Sequence, residues 1–218
     1  MAGRTARAEQ VSATREAILS AAERLFAEQG VYAVSNRQVG EAAGQGNNTA
    51  VGYHFGTKAD LVRAIAARHF DRIEETRVRL LAAVGDSGDI RHWVDCLVRP
   101  ITEHLASLGS PTWYARFCAQ VATDPALYEI MVEESLVSPS LREAVAGLDR
   151  RLPELPAEVR AERGQMARTL ILHTCAERER ALAEGTATPR ATWSDAATGL
   201  TDALLGLWLA PFTPTHRR

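Results

Sequence analysis

Apolar residues along this chain recur at helical spacing, and no run of strand-like alternation interrupts them. Ile18, Ala21, Ala22, Leu25 and Phe26 follow the i, i+3, i+4, i+7, i+8 rule, with Glu16 in the first turn and Gly30 as a C-terminal stop, so a helix is predicted over 14–29. Ser35 followed three residues later by Gln38 is a capping-box pattern. It predicts a second, short helix ending at Gly44, with Val39, Ala42 and Ala43 facing inward. Asn47 can cap a third short helix through Phe55. Thr57 with Asp60 can cap a fourth that runs through Leu61, Ile65, Phe70, Ile73, Leu80 and Leu81 to about residue 84. Further helices are predicted over 89–108, 112–123, 125–136, 139–151, 157–184 and 192–210. The expected class is all-α, without internal repeats or low-complexity segments.

Punctuation divides the chain. All nine prolines lie at or beyond Pro100, whereas six of the fifteen glycines fall between Gly30 and Gly56. Short elements and tight turns therefore come early and long elements late. With 218 residues the chain has room for one large domain, or a small one joined to a larger one. Its 46% hydrophobic and 24% charged residues are those of an ordinary globular protein, which argues against disorder, collagen and disulfide scaffolds. The longest strongly apolar stretch, near Leu204–Leu209, is far short of a membrane span, and the first residues lack the apolar core of a signal peptide. A cytoplasmic protein with no membrane partner is expected. Cys96, Cys118 and Cys175 are too few and too scattered for a disulfide framework or a zinc site, so neither metal nor cofactor is expected and the cysteines read as space-filling.

A net charge of -2 argues against indiscriminate coating of nucleic acid. Up to Lys58 there are six basic and five acidic residues, so any polyanion-binding surface belongs to this N-terminal part. A helix, two short helices joined by a glycine-containing turn, and a long helix form the layout of a helix-turn-helix unit with a connecting helix. The second short helix would enter the major groove, where the N-terminal residues of an inserted helix approach base edges. Those residues are Asn47, Asn48 and Thr49. Asparagine can pair bidentately with adenine, and threonine offers a hydroxyl together with a methyl group for thymine. The alternative is that the two asparagines only build the turn and cap.

Over residues 14–75 the chain resembles the TetR family of bacterial transcriptional repressors. The resemblance rests on TREAILSAAERLFAEQGVYAVSNRQVGEAAG (14–44) and YHFGTKADLVRAIA (53–66). It implies an all-helical homodimer with an N-terminal DNA-binding domain, which would bind a palindromic double-stranded operator. It also implies a divergent C-terminal domain that binds a small-molecule effector and releases the operator. By position, Ser35, Asn36 and Arg37 lie where the family starts its second helix against the DNA backbone, and Lys58 where its fourth helix begins beside a phosphate. Helix N-termini and a lysine suit phosphate. Tyr53 and His54 match the family's aromatic pair, which can reach phosphate oxygens; Phe55 reads as a core anchor, and for His54 core packing and phosphate contact both stand.

Two departures bear on the reading residues. Gly52 stands where the family usually has an aromatic, and the turn at Gln45 and Gly46 is one residue longer than is common. Gly52 either lets the backbone approach the groove or is tolerated because packing holds the helix. The expected organisation is a disordered basic arm over 1–13, a DNA-binding domain over 14–57, a connecting helix over 58–84 and an effector-binding and dimerisation domain over 85–218. Arg4, Arg7 and Arg15, in an N-terminal tail too polar to pack, either reach the DNA or stay solvated.

The C-terminal part is less legible. Val159, Met166, Leu170, Ile171 and Cys175 on one helix, and Leu200, Leu204, Leu205, Leu207 and Trp208 on the last, exceed the apolar surface of a single-sided helix. In the family these two helices pair across a dimer, so Leu170, Leu200, Leu204, Leu207 and Trp208 are expected at the interface, burial within one protomer being the alternative. Trp113, Phe117, Gln120, Met131 and His173 are candidates for an effector pocket, although such residues also make ordinary helical cores. No nucleophile, base and orienting set has the local signature of an enzyme. A thiol-responsive regulator is the other alternative, against which stands the usual burial of free cysteine.

Overall fold

The computed structural model describes residues 2–47 and 49–213, with side chains except at 2–6 and 133–137. Ten helices and no strand occur among the described residues. They are α1 (Ala2–Gln29), α2 (Asn36–Ala42), α3 (Ala50–Phe55), α4 (Lys58–Val84), α5 (Ile90–Leu108), α6 (Tyr114–Val121), α7 (Pro125–Val137), α8 (Pro139–Asp149), α9 (Ala157–Ala183) and α10 (Trp193–Leu209). The chain is all-α, and no helix is long and apolar enough to cross a membrane.

The largest departure from the expected elements is at the start. Residues 2–13, expected as a disordered arm, are the first turns of α1, and those with described side chains are exposed. Their polar composition denies them a core face but not a helix. Alanine, arginine, glutamate and glutamine are strong helix formers, and the costly nucleus is already supplied by the anchored turns around Ile18 and Ala22. Capping chemistry fixes the following elements as the sequence implies. Ser35 and Gln38 close a full capping box on α2, and Thr57 and Asp60 close one on α4. Gly56 joins α3 to α4 with φ of +72°, a conformation that a residue bearing Cβ resists.

Two apolar clusters organise the packing. The first gathers Ile18, Ala22, Leu25 and Phe26 of α1 with Val39, Val51, Phe55, Leu61 and Ile65, and continues without a break into Phe117 and Val121 of α6 and Cys175 of α9. The second joins Trp93, Val94 and Val98 of α5 to Ala144 and Leu148 of α8 and to Leu200, Leu204 and Trp208 of α10. Trp93 and α8 meet so closely that a Cβ on Gly147 would lie 1.9 Å from the indole ring, so only glycine fits there. α6 lies between α1 and α9, in contact with both.

Candidate nucleic-acid interface

The unit formed by α2, the 43–49 turn and α3 is small, and local chemistry sets its shape. Ser35 Oγ accepts from the Gln38 N–H at 3.2 Å while Gln38 Oε1 accepts from the Ser35 N–H at 2.9 Å, which satisfies donors at both ends of the first turn. Ser35 and Arg37 are exposed and Asn36 half-buried at this helix start. Arg37 also pairs with Glu41 at 2.8 Å on the same exposed face, so part of its charge is already answered. The turn is held by Asn47, whose Oδ1 accepts from the Thr49 N–H at 2.9 Å and from Thr49 Oγ1 at 2.7 Å. The third helix consequently starts at Ala50, with Thr49 and not Asn47 at its N-cap, two residues later than expected. Asn48 lies outside the described residues.

α3 is anchored from one side by Val51, 2% exposed, and by the buried Phe55. Its other side is open. Tyr53 is 84% exposed, an apolar ring that the protomer does nothing to cover, and Asn47, Thr49 and Gly52 are exposed beside it. His54 is half-buried, edge-on to Tyr53 with ring centroids 5.2 Å apart. The half-buried position allows both of its expected roles. A Cβ on Gly52 would meet nothing within 4 Å, so packing inside the protein does not require a glycine there.

Two basic residues make contacts within the chain that the sequence does not announce. Lys58, expected beside a phosphate, donates its ammonium to the carbonyls of Val31 at 2.9 Å and Val34 at 2.6 Å, and so straps the start of α4 to the loop before α2. Its partial burial pushes the ammonium below the ordinary lysine range. Arg15, expected in a tail, projects from within α1 and donates to the His54 carbonyl at 2.7 Å, with its guanidinium 4.3 Å from the centre of the Phe55 ring.

Behind the reading helix, α1 is bound to the rest of the chain by a buried polar array. Glu23, 4% exposed, accepts from Arg68 and lies 3.0 Å from His69 Nε2; His69 Nδ1 is 2.7 Å from His104 Nε2, and the Tyr114 ring stacks on His69 with centroids 3.8 Å apart. If His69 donates to Glu23 from Nε2, its Nδ1 must accept from His104 Nε2–H, which makes His104 Nδ1 a bare acceptor. That atom is indeed buried without a partner. Burial first, then the charges of His69 and Arg72, push the His104 imidazole down to about 4. Sequence reasoning missed this array, although His69 falls on the Leu61–Ile65 face at the next i+4 step, and that spacing would have placed it in the core.

A second buried acid was also missed. Glu179 of α9, 2% exposed, receives Thr112 Oγ1, the Ala115 N–H at 3.1 Å, the Arg116 N–H at 2.9 Å and Arg116 Nε at 3.2 Å. It is thus a carboxylate set against the N-terminus of α6, supplied by a different helix. α6 in turn bears on α1: Phe117 stacks on Phe26 with centroids 6.4 Å apart, and Trp113 Nε1 donates to Glu28 at 3.2 Å.

Of the five residues expected to line an effector pocket, Trp113 and Met131 pack against the cluster that contains Phe117. Phe117 is fully buried in a stack between Phe26 and Tyr114, which makes it a core residue of the α1–α6 contact; His173 is exposed on α9; Trp113, Gln120 and Met131 are half-buried. Among the expected interface residues, Leu200, Leu204 and Trp208 are buried within the protomer against α5 and α9. The last helix has an inner face to cover, and these residues cover it. Leu170 and Leu207 turn outward instead, and with Glu162, Gln165, Met166 and Thr169 they line an open groove of about 550 Å³ between α9 and α10. All three cysteines are buried. Burial pushes Cys96 up to about 11, Cys175 to about 12 and Cys118 higher still, which disfavours the thiolate at all three and fits their reading as space-filling residues.

A short anchored helix with an uncovered polar and aromatic face, held across a turn from a capped partner and braced by a long helix, defines a helix-turn-helix regulator of the DNA-binding kind. Residues 18–65 match the family model of bacterial regulatory proteins of the tetR family, and residues 95–206 match that of the tetracyclin repressor-like C-terminal domain. The chain belongs to the TetR family of transcriptional regulators. Among solved structures it is similar to the TetR family transcriptional regulator PfmR from Thermus thermophilus, with 17% identity, 86% of this chain and 96% of that chain covered, and a TM-score of 0.54. At that identity the likeness is one of fold. No curated protein matches the chain.

Proposed function

We propose that the chain is a ligand-responsive transcriptional repressor that binds a palindromic DNA operator as a cytoplasmic homodimer. The observation that carries this reading is the uncovered face of α3, with Tyr53 84% exposed beside Asn47 and Thr49. One α3 from each protomer enters the major groove, the two half-sites lying about one helical turn or a multiple apart. Ser35, Asn36, Arg37, Tyr53 and His54 serve the phosphate backbone, while Thr49 and the Asn47–Asn48 pair read bases. Lys58 adds its charge at the same surface while bracing it. The second copy packs along the outward strip of Met166, Leu170 and Leu207 on α9 and α10. A small, largely apolar effector binds the C-terminal helices and favours a conformation in which α4 swings the reading helices off operator spacing.

The test is selection of duplexes from a randomised pool by the purified full chain, followed by footprinting. Enrichment of an inverted repeat protected on two successive major-groove faces is the expected result. Recovery of no preferred sequence from a monodisperse protein would overturn the reading.

A further inference from the structure

We infer that Arg15 is a positioning residue for sequence readout: it fixes the tilt of α3 from the far side and does not itself contact DNA. The inference rests on the DNA-binding reading above and goes beyond it by assigning the residue that orients the reading helix. α3 has only six residues, too few to be stable alone, and its N-cap Thr49 makes no side-chain bond to the helix, because its hydroxyl is turned back to Asn47. The apolar anchors Val51 and Phe55 hold one side of the helix only.

What holds the C-terminal end is Arg15. Its guanidinium donates to the His54 carbonyl at 2.7 Å, one of the carbonyls that a helix end leaves unpaired, and lies 4.3 Å from the centre of the Phe55 ring. The contact crosses 39 residues of sequence and issues from the middle of a 28-residue helix whose next turn, Ile18 and Leu19, is buried. It is therefore a strut from a long, anchored element to a short one. A cation at a helix C-terminus also matches the sign of the helix dipole. Tyr53 lies one residue before the carbonyl that Arg15 holds. A helix of six residues is about 9 Å long, so a tilt of about 10° moves its far end by roughly 1.6 Å, enough to spoil a base contact.

The experiment uses the full chain and the duplex enriched by the wild-type protein. Arg15→Gln and Arg15→Lys are compared for affinity to that duplex, to the same duplex with one base pair swapped in each half-site, and for the salt dependence of both; far-UV circular dichroism and thermal melting establish that each variant is folded. Discrimination between the two duplexes is expected to fall about fivefold to tenfold in Arg15→Gln, with the salt slope unchanged. It should fall less in Arg15→Lys, which keeps a donor but not the planar stack. A uniform loss of affinity with a salt slope flattened by about one for each protomer would make Arg15 a phosphate contact and overturn the proposal. Unchanged discrimination in folded Arg15→Gln would overturn it as well, and if that variant does not fold, unchanged discrimination in Arg15→Lys does so. Those results leave the DNA-binding reading standing. Failure of the wild-type protein to enrich any sequence removes both.

Discussion

The reading head and the C-terminal helices solve the same problem, holding short segments in fixed orientation, with a different balance of local caps and buried distant ties. In the head, helix starts and the turn are shaped by exposed neighbours in sequence, Ser35 with Gln38, Thr57 with Asp60 and Asn47 with Thr49, none more than three residues apart, with Lys58 and Arg15 as the distant ties. The body has such caps as well, Thr192 with Asp195 on α10 among them, but adds buried ordering groups that come from far away. Glu179 holds α6 from more than sixty residues downstream, Arg163 donates to the Trp208 and Ala210 carbonyls at 2.8 and 2.7 Å to finish α10, and Arg77 ties α4 to the Cys96 carbonyl and to Ser138 and Ser140. Exposed local caps are each worth about 1 kcal/mol and fail one at a time. A buried charge with several partners is an all-or-none fixture, because removing one member strands the others in a medium that cannot solvate them.

That contrast gives the largest expected effect to Glu179. Glu179→Ala leaves Arg116, two backbone N–H groups and the Thr112 hydroxyl without their acceptor. A loss of about 3 to 5 kcal/mol is expected, measured by chemical denaturation. Ser35→Ala, its counterpart in the head, is expected to lose about 1 kcal/mol. Equal losses from the two would mean that the buried array is no more than another cap.

The junction between the two regions makes the next prediction. Burial holds the His104 imidazole at about 4, whereas in the unfolded chain it titrates near 6.5. Between those values the unfolded state binds the extra proton and the native state does not, so stability falls as the pH is lowered through that window and is fully present above it. The groups facing the imidazole are Glu23 from α1, Arg68, His69 and Arg72 from α4 and Tyr114 from α6. A decline of roughly 2 to 3 kcal/mol from this group between pH 6.5 and 4 is expected. His104→Asn should flatten that part of the stability profile. A profile identical in shape for variant and wild type would show that the array does not carry the pH dependence.

How far the sequence can be read follows the same division. The core turns of the four N-terminal helices and the caps of α2 and α4 are legible because each signal lies within one turn of the element that it fixes. The arm misleads because polarity suggests disorder, although exposed helix needs only good helix formers and an anchored nucleus. Arg15 falls with the same tail for that reason, and no local pattern announces a bond to His54 in another helix. In the body, Leu200, Leu204 and Trp208 would give the same periodic pattern whether they faced a partner or their own protomer; only the positions of α5 and α9 decide it. Phe117 poses the same ambiguity between pocket and core. Glu179 lies among charged neighbours in its helix, and its burial depends on α6 arriving over it.

Two helical glycines sharpen the comparison further, and the first carries the greater cost. At Gly147 a Cβ would meet the Trp93 ring at 1.9 Å, so Gly147→Ala must displace α8 or the indole. Overpacking of this kind costs about 1 to 3 kcal/mol, which outweighs the gain in helix propensity, and thermal melting should show a lowered midpoint.

Gly52 should behave in the opposite way. It is exposed in α3, and an added Cβ meets nothing within 4 Å, so the fold has no use for the missing side chain. Alanine there is expected to raise stability by up to about 1 kcal/mol through helix propensity alone. The same methyl group would stand on the face of α3 that turns toward the groove. If the glycine serves close approach of the backbone to the duplex, Gly52→Ala should be more stable than the wild type and yet bind the selected duplex several-fold more weakly. Melting and fluorescence-anisotropy titration of the one variant give both numbers. A gain in stability with unchanged affinity would mean that the groove does not need the bare backbone, and that α3 approaches DNA through Tyr53 and its neighbours alone.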